Sequence, residues 1–142
     1  MESSTVISKN APKPVGLYPH ARKVGDLLFL SGVGPRTANS DANDSFVPGL
    51  KLDHNGNFIT FDFEAQCHSV FQNVKTILEE SGSSWENLVD ITVFLVDMKR
   101  DFQTFNKIYA TYFKNNQPCR TTVAIDSLPT PIAIELKCIA TI

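Results

Sequence analysis

The stretch "QPCRTTVAIDSLPTPIAIELKCIATI", residues 117–142, decides the fold of this chain. Apolar and β-branched residues lie on both sides of Leu128–Pro129, which predicts two strands separated by a turn. In the second strand two sets of residues alternate, Ile132, Ile134, Leu136, Cys138, Ala140 and Ile142 against Ala133, Glu135, Lys137, Ile139 and Thr141. Because successive strand residues point to opposite faces of a sheet, we expect the first set beneath helices and Glu135 on the other face.

Two charged residues stand out in these apolar runs. Arg120 opens the first run, and Glu135 lies inside the second. If the two strands formed a hairpin at Leu128–Pro129, Arg120 would lie almost opposite Glu135. The alternative is that another strand lies between them and separates the two charges.

The rest of the chain supplies two helices and further strands. Apolar residues recur at helical spacing over 63–81 and over about 99–114, and Asp62 and Asp97 are suitable residues to begin these helices. A strand is predicted between the helices, over 88–96. Shorter strands are predicted around Thr5–Ser8, on both sides of Gly25–Asp26 and over 58–61, with an exposed loop over 37–48.

This order of elements predicts a single two-layer α+β domain over residues 1–142. Its mixed sheet of about six strands is expected to carry both helices on one face. The other face holds Ala133 and Ile139 beside Glu135, so it is too apolar to face water alone. We therefore expect a subunit interface on that face.

Composition limits the classes of function. The net charge of -2 argues against a nucleic-acid-binding face. No apolar run reaches the roughly 20 residues of a membrane span, and the first residues lack the pattern of a signal peptide, so a cytoplasmic protein is expected. Cys67, Cys119 and Cys138 form no CxxC pair and the three histidines show no ligand spacing, so we expect no metal site.

Three segments resemble one family of known proteins. They are "NAPKPVGLYPHARKVGDLLFLSG" (10–32), "WENLVDITVFLVDMKRDFQTFNKIYATYF" (85–113) and "QPCRTTVAIDSLPTPIAIELKCIA" (117–140). In this order they resemble the RidA/YjgF family of reactive enamine/imine deaminases. Within that family, "YPHARKVGDLLFLSGVGPR" and "CRTTVAIDSLPTP" look closest to the 2-aminomuconate deaminase branch. Thr122 fits this branch, because many other members carry a cysteine at that position.

The resemblance implies a fold, an assembly and a reaction. The fold would be of the chorismate-mutase-like type, assembled as a homotrimer with sites in the clefts between adjacent subunits. The reaction would be the cofactor-free hydrolysis of 2-aminomuconate to its oxo or enol dicarboxylate and ammonia, in bacterial breakdown of kynurenine, aminophenol or nitrobenzoate. The alternatives are a general 2-iminobutanoate/2-iminopropanoate (2-aminoacrylate) deaminase, or a non-catalytic trimeric ligand-binding regulator.

The resemblance also assigns roles to individual residues. Arg120 would bind the substrate carboxylate, and a guanidinium suits this role because its planar fork donates two parallel hydrogen bonds. Glu135 would place a water and move protons, since a partly buried carboxylate has a pKa suited to acid/base work. The remaining cleft residues would be Tyr18, Ser31, Gly32 and Cys119.

A dicarboxylate substrate needs a second binding group besides Arg120. Arg36, just beyond "SGVGP", and His20, just beyond Tyr18, are the candidates. A histidine also titrates near neutral pH, so His20 could move protons.

Overall fold

The computed structural model describes residues 2–39 and 46–142 and contains a six-stranded sheet covered on one face by two helices. Its strands are β1 (Ser3–Val6), β2 (Ala21–Val24), β3 (Leu27–Leu30), β4 (Lys51–Leu52), β5 (Phe58–Thr60), β6 (Leu88–Leu95), β7 (Cys119–Ala124) and β8 (Ile134–Thr141). The helices are α1 (Phe63–Glu80) and α2 (Met98–Tyr112), with a 3-10 turn at Trp85–Asn87. The predicted two-layer α+β fold is confirmed. The loop predicted over 37–48 lies partly outside the described residues.

The strand order in the main sheet is β1-β2-β3-β8-β6-β7, while β4 and β5 form a separate hairpin. All neighbours in the main sheet are antiparallel except β6 and β7. Parallel neighbours need a crossover connection, and α2 supplies it. The sheet is therefore mixed, and β7 is an edge strand with one unpaired side.

Side chains at the start of each helix set where it begins. The Asp62 carboxylate accepts a hydrogen bond from the Ala65 N–H at 3.0 Å, and Asp97 accepts one from the Arg100 N–H at 3.0 Å. Both helix starts are as predicted, because these N-caps satisfy N–H groups that have no partner within the helix. The boundaries differ slightly elsewhere, since α2 ends at Tyr112 and β1 begins before the predicted segment.

The apolar face of β8 lies beneath the helices as its alternation predicts. Ile134, Leu136, Cys138 and Ala140 are fully buried, whereas Ile142, beyond the end of β8, is 45% exposed. Aromatic residues of the helices and of the segments next to them pack together in the helical layer, mainly Phe71, Trp85, Phe105, Tyr109, Tyr112 and Phe113. These rings form the core of the helical layer.

Of the two arrangements left open for the last two strands, the hairpin is excluded and the intervening strand is confirmed, because β6 lies between β7 and β8. Glu135 pairs with Phe94 of β6, and Cys138 pairs with Ile91, which pairs in turn with Arg120. The crossover through α2 places β7 parallel to β6 on one side. The chain then returns as β8, which pairs antiparallel with β6 on the other side. Arg120 therefore shares the helix-covered face of Cys138, and Glu135 points to the uncovered face.

The uncovered face of the sheet carries a group of apolar side chains among polar ones such as Thr92 and Lys137. Phe29, Phe94 and Ile139 are half-buried there, while Leu27 is 40% and Val123 36% exposed. The predicted subunit interface on this face stays a prediction. Within the described residues, no helix is both long and apolar enough to cross a membrane.

His20 holds the segment between β1 and β2 against the sheet. Its Nδ1 accepts a hydrogen bond from the Ser8 N–H at 3.0 Å, and its Nε2 lies 2.8 Å from the Pro12 carbonyl. A ring nitrogen that accepts a hydrogen bond carries no proton, so the proton is on Nε2, which donates to Pro12. Both ring nitrogens of this buried side chain are thus engaged by the backbone.

We expect His20→Ala to lower the free energy of unfolding by about 1–3 kcal/mol, because the buried Ser8 N–H loses its acceptor. Chemical denaturation at one fixed chain concentration measures this change. His54→Ala is the matched control, since His54 is exposed in the β4–β5 turn and its loss should cost within about 0.5 kcal/mol. Equal stability of the two variants would show that the ring does not hold the segment.

Candidate active site

The site is built where the chain leaves β3 and runs beside β8. Val33 and Leu136 exchange two backbone hydrogen bonds, of 2.8 and 2.9 Å. This bridge places Gly32 directly against the side chain of Glu135. A Cβ at residue 32 would lie 2.8 Å from the carboxyl carbon of Glu135, closer than real Cβ contacts allow. The carboxylate can occupy this position only because residue 32 is glycine.

Glu135 is half-buried and carries an unneutralised carboxylate. Burial raises its pKa above the ordinary value of 4.5, because a partly desolvated site disfavours the charged form. Among the described residues, no side chain forms an ion pair or hydrogen bond with it. Its oxygens are therefore available to a water or a ligand.

A small cavity lies around Gly32, the residue that contacts this carboxylate, although Glu135 itself does not line the cavity. Its lining comprises Pro12, Pro14, Tyr18, His20, Ser31, Gly32, Val33, Gly34, Arg36 and Ile77. The cavity holds about 40 Å³, enough for a few waters or a small polar group. The structure thus brings together Tyr18, His20, Ser31, Gly32 and Arg36, which sequence reasoning placed in one cleft.

Tyr18 and Ser31 form the more accessible part of the cavity. Tyr18 is 40% exposed, and its hydroxyl accepts a hydrogen bond from the Val15 N–H at 3.2 Å. The Ser31 hydroxyl donates to the Pro19 carbonyl at 2.6 Å, so only its lone pairs remain available. The phenol ring of Tyr18 can pack on a ligand, while the Ser31 hydroxyl oxygen can accept a hydrogen bond from it.

Arg36 lies deeper, at 9% exposure. Its guanidinium donates a hydrogen bond to the Lys13 carbonyl at 2.6 Å, so it helps hold the segment before β2 over the cavity. His20 holds the same segment through Ser8 and Pro12. Both candidates for the second carboxylate therefore line the cavity and also have backbone partners.

Two polar residues of α1 support this region and were missed from the sequence. Asn73 donates to the Gly34 and Arg36 carbonyls at 2.9 and 2.7 Å, and Ser69 donates to the Pro35 carbonyl at 2.7 Å. These bonds fix the loop that carries Arg36. The available signal was a polar residue, Asn73, next to apolar positions of α1, whose buried face also includes Gln66.

Arg120 and Cys119 lie away from this cavity. They are neighbours on edge strand β7, so their side chains point to opposite faces of the sheet. Cys119 is exposed on the uncovered face, and Arg120 is half-buried on the helix side. Within one chain, Arg120 and Glu135 are therefore on opposite faces with β6 between their strands.

Arg120 is held by aromatic rings. Its guanidinium carbon lies 4.7 Å from the ring centre of Tyr109, 5.5 Å from that of Phe105 and 6.0 Å from that of Phe102. Among the described residues, no carboxylate pairs with it and no acceptor receives its N–H groups. The hydroxyl of Thr122, on the same face of β7, is buried without a partner in that part of the chain.

The chain thus presents two partial sites of complementary chemistry. One is a carboxylate of raised pKa that contacts Gly32, a residue that also lines a small cavity, and the other presents an unneutralised cation on a sheet edge. Residues 2–39 and 46–142 contain no group of three or more His, Cys, Asp and Glu that could hold a metal ion. Together the two partial sites can bind an anion and move a proton.

Comparisons with known proteins agree on one family. The family model described as Endoribonuclease L-PSP matches residues 8–142. A RutC family protein of Pyrococcus horikoshii is 34% identical over 138 residues, covering 95% of this chain and 94% of that protein. Reactive Intermediate Deaminase A, chloroplastic, of Arabidopsis thaliana is 34% identical over 142 residues, covering 100% of this chain and 67% of that protein.

A solved structure extends this agreement to three dimensions. The crystal structure of RidA from an Antarctic Psychrobacter matches with a TM-score of 0.81 at 27% identity, covering 98% of this chain and 99% of that one. The name of the Arabidopsis relative places that protein in the chloroplast, so the cytoplasmic location expected here stays a prediction. Sequence and structure together show that the chain belongs to the endoribonuclease L-PSP family, which includes the RutC and RidA proteins.

Proposed function

We propose that this chain is a cofactor-free hydrolase that deaminates enamine or imine acids. The observation that carries the proposal is the unneutralised carboxylate of Glu135, which lies against Gly32 with its pKa raised by burial. Gly32 also lines the small cavity that contains Tyr18 and Ser31. A relative that is named a reactive intermediate deaminase supports the same class of reaction. Such substrates are intrinsically reactive, so positioning and proton transfer can supply the catalysis.

The reaction balances with these parts. Protonation of the enamine at carbon gives an iminium, whose C=N carbon a water then attacks. Glu135, as carboxylate, takes a proton from the attacking water and returns it to the nitrogen of the resulting carbinolamine. The C–N bond then breaks and ammonia leaves. The hydroxyl releases its proton, which balances the proton taken up at carbon, and a carbonyl compound remains.

Arg120 has the chemistry to bind the substrate carboxylate, because its planar fork is charged and its donors are not used within the described chain. Arg120 and Glu135 lie on opposite faces of one sheet, so they can serve one substrate only if they come from different copies. We therefore place the site between adjacent subunits of a homotrimer. In that arrangement the Cys119 backbone accompanies Arg120, while Tyr18, Ser31 and Gly32 accompany Glu135. The apolar side chains that the uncovered face presents, Leu27 and Val123 among them, and the edge position of β7 support such an assembly.

Two substrates fit this proposal comparably. The first is 2-aminomuconate, as in bacterial aromatic catabolism, with Arg36 of the cavity taking the second carboxylate. The second is 2-aminoacrylate or a related imine acid, which needs only Arg120. The relatives reported above carry RidA or RutC names, which do not distinguish the two. His20 acts in either case as a positioning residue, because both of its ring nitrogens bind backbone.

The test is ammonia release from 2-aminomuconate and 2-aminoacrylate, each generated in situ. We expect Glu135→Gln to lower kcat by about 10²–10⁴-fold, as for loss of a general base. We expect Arg120→Ala to raise KM by about 10–100-fold, as for loss of charge-assisted hydrogen bonds. Glu79→Gln and Lys107→Ala, both exposed on the helices, are the matched controls and should behave as wild type.

Three outcomes separate the readings. Wild-type rates in both site variants would contradict the mechanism. A preference for 2-aminoacrylate would exclude 2-aminomuconate as the substrate, while the assignment of a deaminase activity would stand. If the wild-type protein accelerates neither reaction, the deaminase proposal is wrong and the non-catalytic ligand-binding regulator is the remaining hypothesis.

The raised pKa of Glu135 predicts an acid limb in the pH profile. A general base must be ionised, so kcat/KM should rise with pH through an apparent pKa above 4.5, once uncatalysed hydrolysis is subtracted. Initial rates between about pH 4 and 8 measure this limb. A kcat/KM that is constant down to pH 4.5 would contradict the assignment of Glu135 as base.

A further inference from the structure

The guanidinium of Arg120 has a positive charge and no anionic partner among the described residues. A half-buried arginine is ordinarily fixed by a carboxylate, which would also neutralise it and occupy its donors. Of the three aromatic rings near it, that of Tyr109 is the nearest, with its centre 4.7 Å from the guanidinium carbon. A ring face attracts a cation through its quadrupole without taking any of its N–H groups.

The ring of Tyr109 is itself firmly placed. It stacks on Phe113 with ring centres 4.3 Å apart and an interplanar angle of 29°, and it contacts Phe105 at 5.5 Å. Burial raises the pKa of Tyr109 to about 12, so the phenol stays neutral and offers the cation a ring rather than a phenolate. The phenol oxygen is buried and has no hydrogen-bond partner in the described part of the chain, so the aromatic contacts orient the ring.

We propose that Tyr109 is a positioning residue whose ring face holds Arg120 ready for the substrate carboxylate while leaving its charge and N–H donors free. The proposal rests on the carboxylate-binding role of Arg120 in the proposed function. It adds that this role depends on the ring of α2 beneath the guanidinium, and that the phenol hydroxyl is dispensable for it. Tyr109 needs no contact with the substrate.

The positioning role of Tyr109 can be tested by pyruvate binding, without any turnover. Pyruvate is the oxo acid that 2-aminoacrylate hydrolysis yields. Calorimetric or NMR titration compares pyruvate with pyruvamide, which lacks the negative charge. We expect Tyr109→Leu to weaken pyruvate binding by about 5–20-fold, the range of a partly desolvated cation–π contact. Tyr109→Phe keeps the ring and should bind pyruvate within about 2-fold of wild type. Neither variant should change binding of pyruvamide.

Two controls separate positioning from general damage to the helical layer. Tyr112 belongs to the same aromatic cluster, 4.4 Å from Phe71, but does not lie under Arg120. Tyr112→Leu should therefore destabilise the layer without weakening pyruvate binding. In an Arg120→Ala background, adding Tyr109→Leu should cause no further loss, because the interaction it removes is already absent.

Three results would overturn the proposal. The first is an equal loss for Tyr109→Phe and Tyr109→Leu, which would assign the effect to the hydroxyl. The second is a full additional loss from Tyr109→Leu in the Arg120→Ala background. The third is wild-type protein that binds pyruvate no better than pyruvamide, since Arg120 would then present no charge to a carboxylate. Ammonia release is measured separately, so a failure here is distinguishable from a failure of the deaminase assignment.

Discussion

The pairing of β6 with both β7 and β8 determines where the two charges of the candidate site lie. In this register Arg120 aligns with Ile91 and Cys138, whereas Glu135 aligns with Phe94. Cys138 lies three positions after Glu135 along β8, an odd offset, so the two charges point to opposite faces of the sheet. No side-chain rotation brings them together across two strands. A substrate that needs both must therefore lie where two copies of the chain meet.

Each partial site is built so that its charge remains available. Gly32 lets the chain approach Glu135 without a side chain, and the carboxylate receives no donor from the described residues. Arg120 rests on Tyr109 and neighbouring rings instead of a carboxylate. Two unneutralised, half-buried groups of opposite sign are costly in an isolated chain, because nothing balances their desolvation. A carboxylate substrate and an attacking water would supply the missing partners.

Local sequence patterns predicted the helices and most strands, but they could not predict which strands pair with each other in the sheet. The period of two in β8 placed Glu135 on the uncovered face, and Asp62 and Asp97 marked the helix starts, because each signal acts over a few residues. The position of β6 could not be predicted, because several partners suit an apolar strand equally well. The hydrogen bonds that hold the loops, such as those of His20 and Asn73, join residues far apart in the sequence, so no periodic pattern predicts them.

Mixing the two impaired subunits tests most directly whether the site is shared, with kcat/KM measured at substrate concentrations well below KM, where both variants are impaired. Arg120→Ala and Glu135→Gln chains, unfolded together in equal amounts and refolded, should recover about one quarter of wild-type activity if three copies form a ring. About three quarters of such trimers contain both chains, and each of these has one intact interface in three. Mixing Arg120→Ala with the double variant is the control, because no interface can then be intact. Recovery no higher than this control would contradict a site shared between subunits.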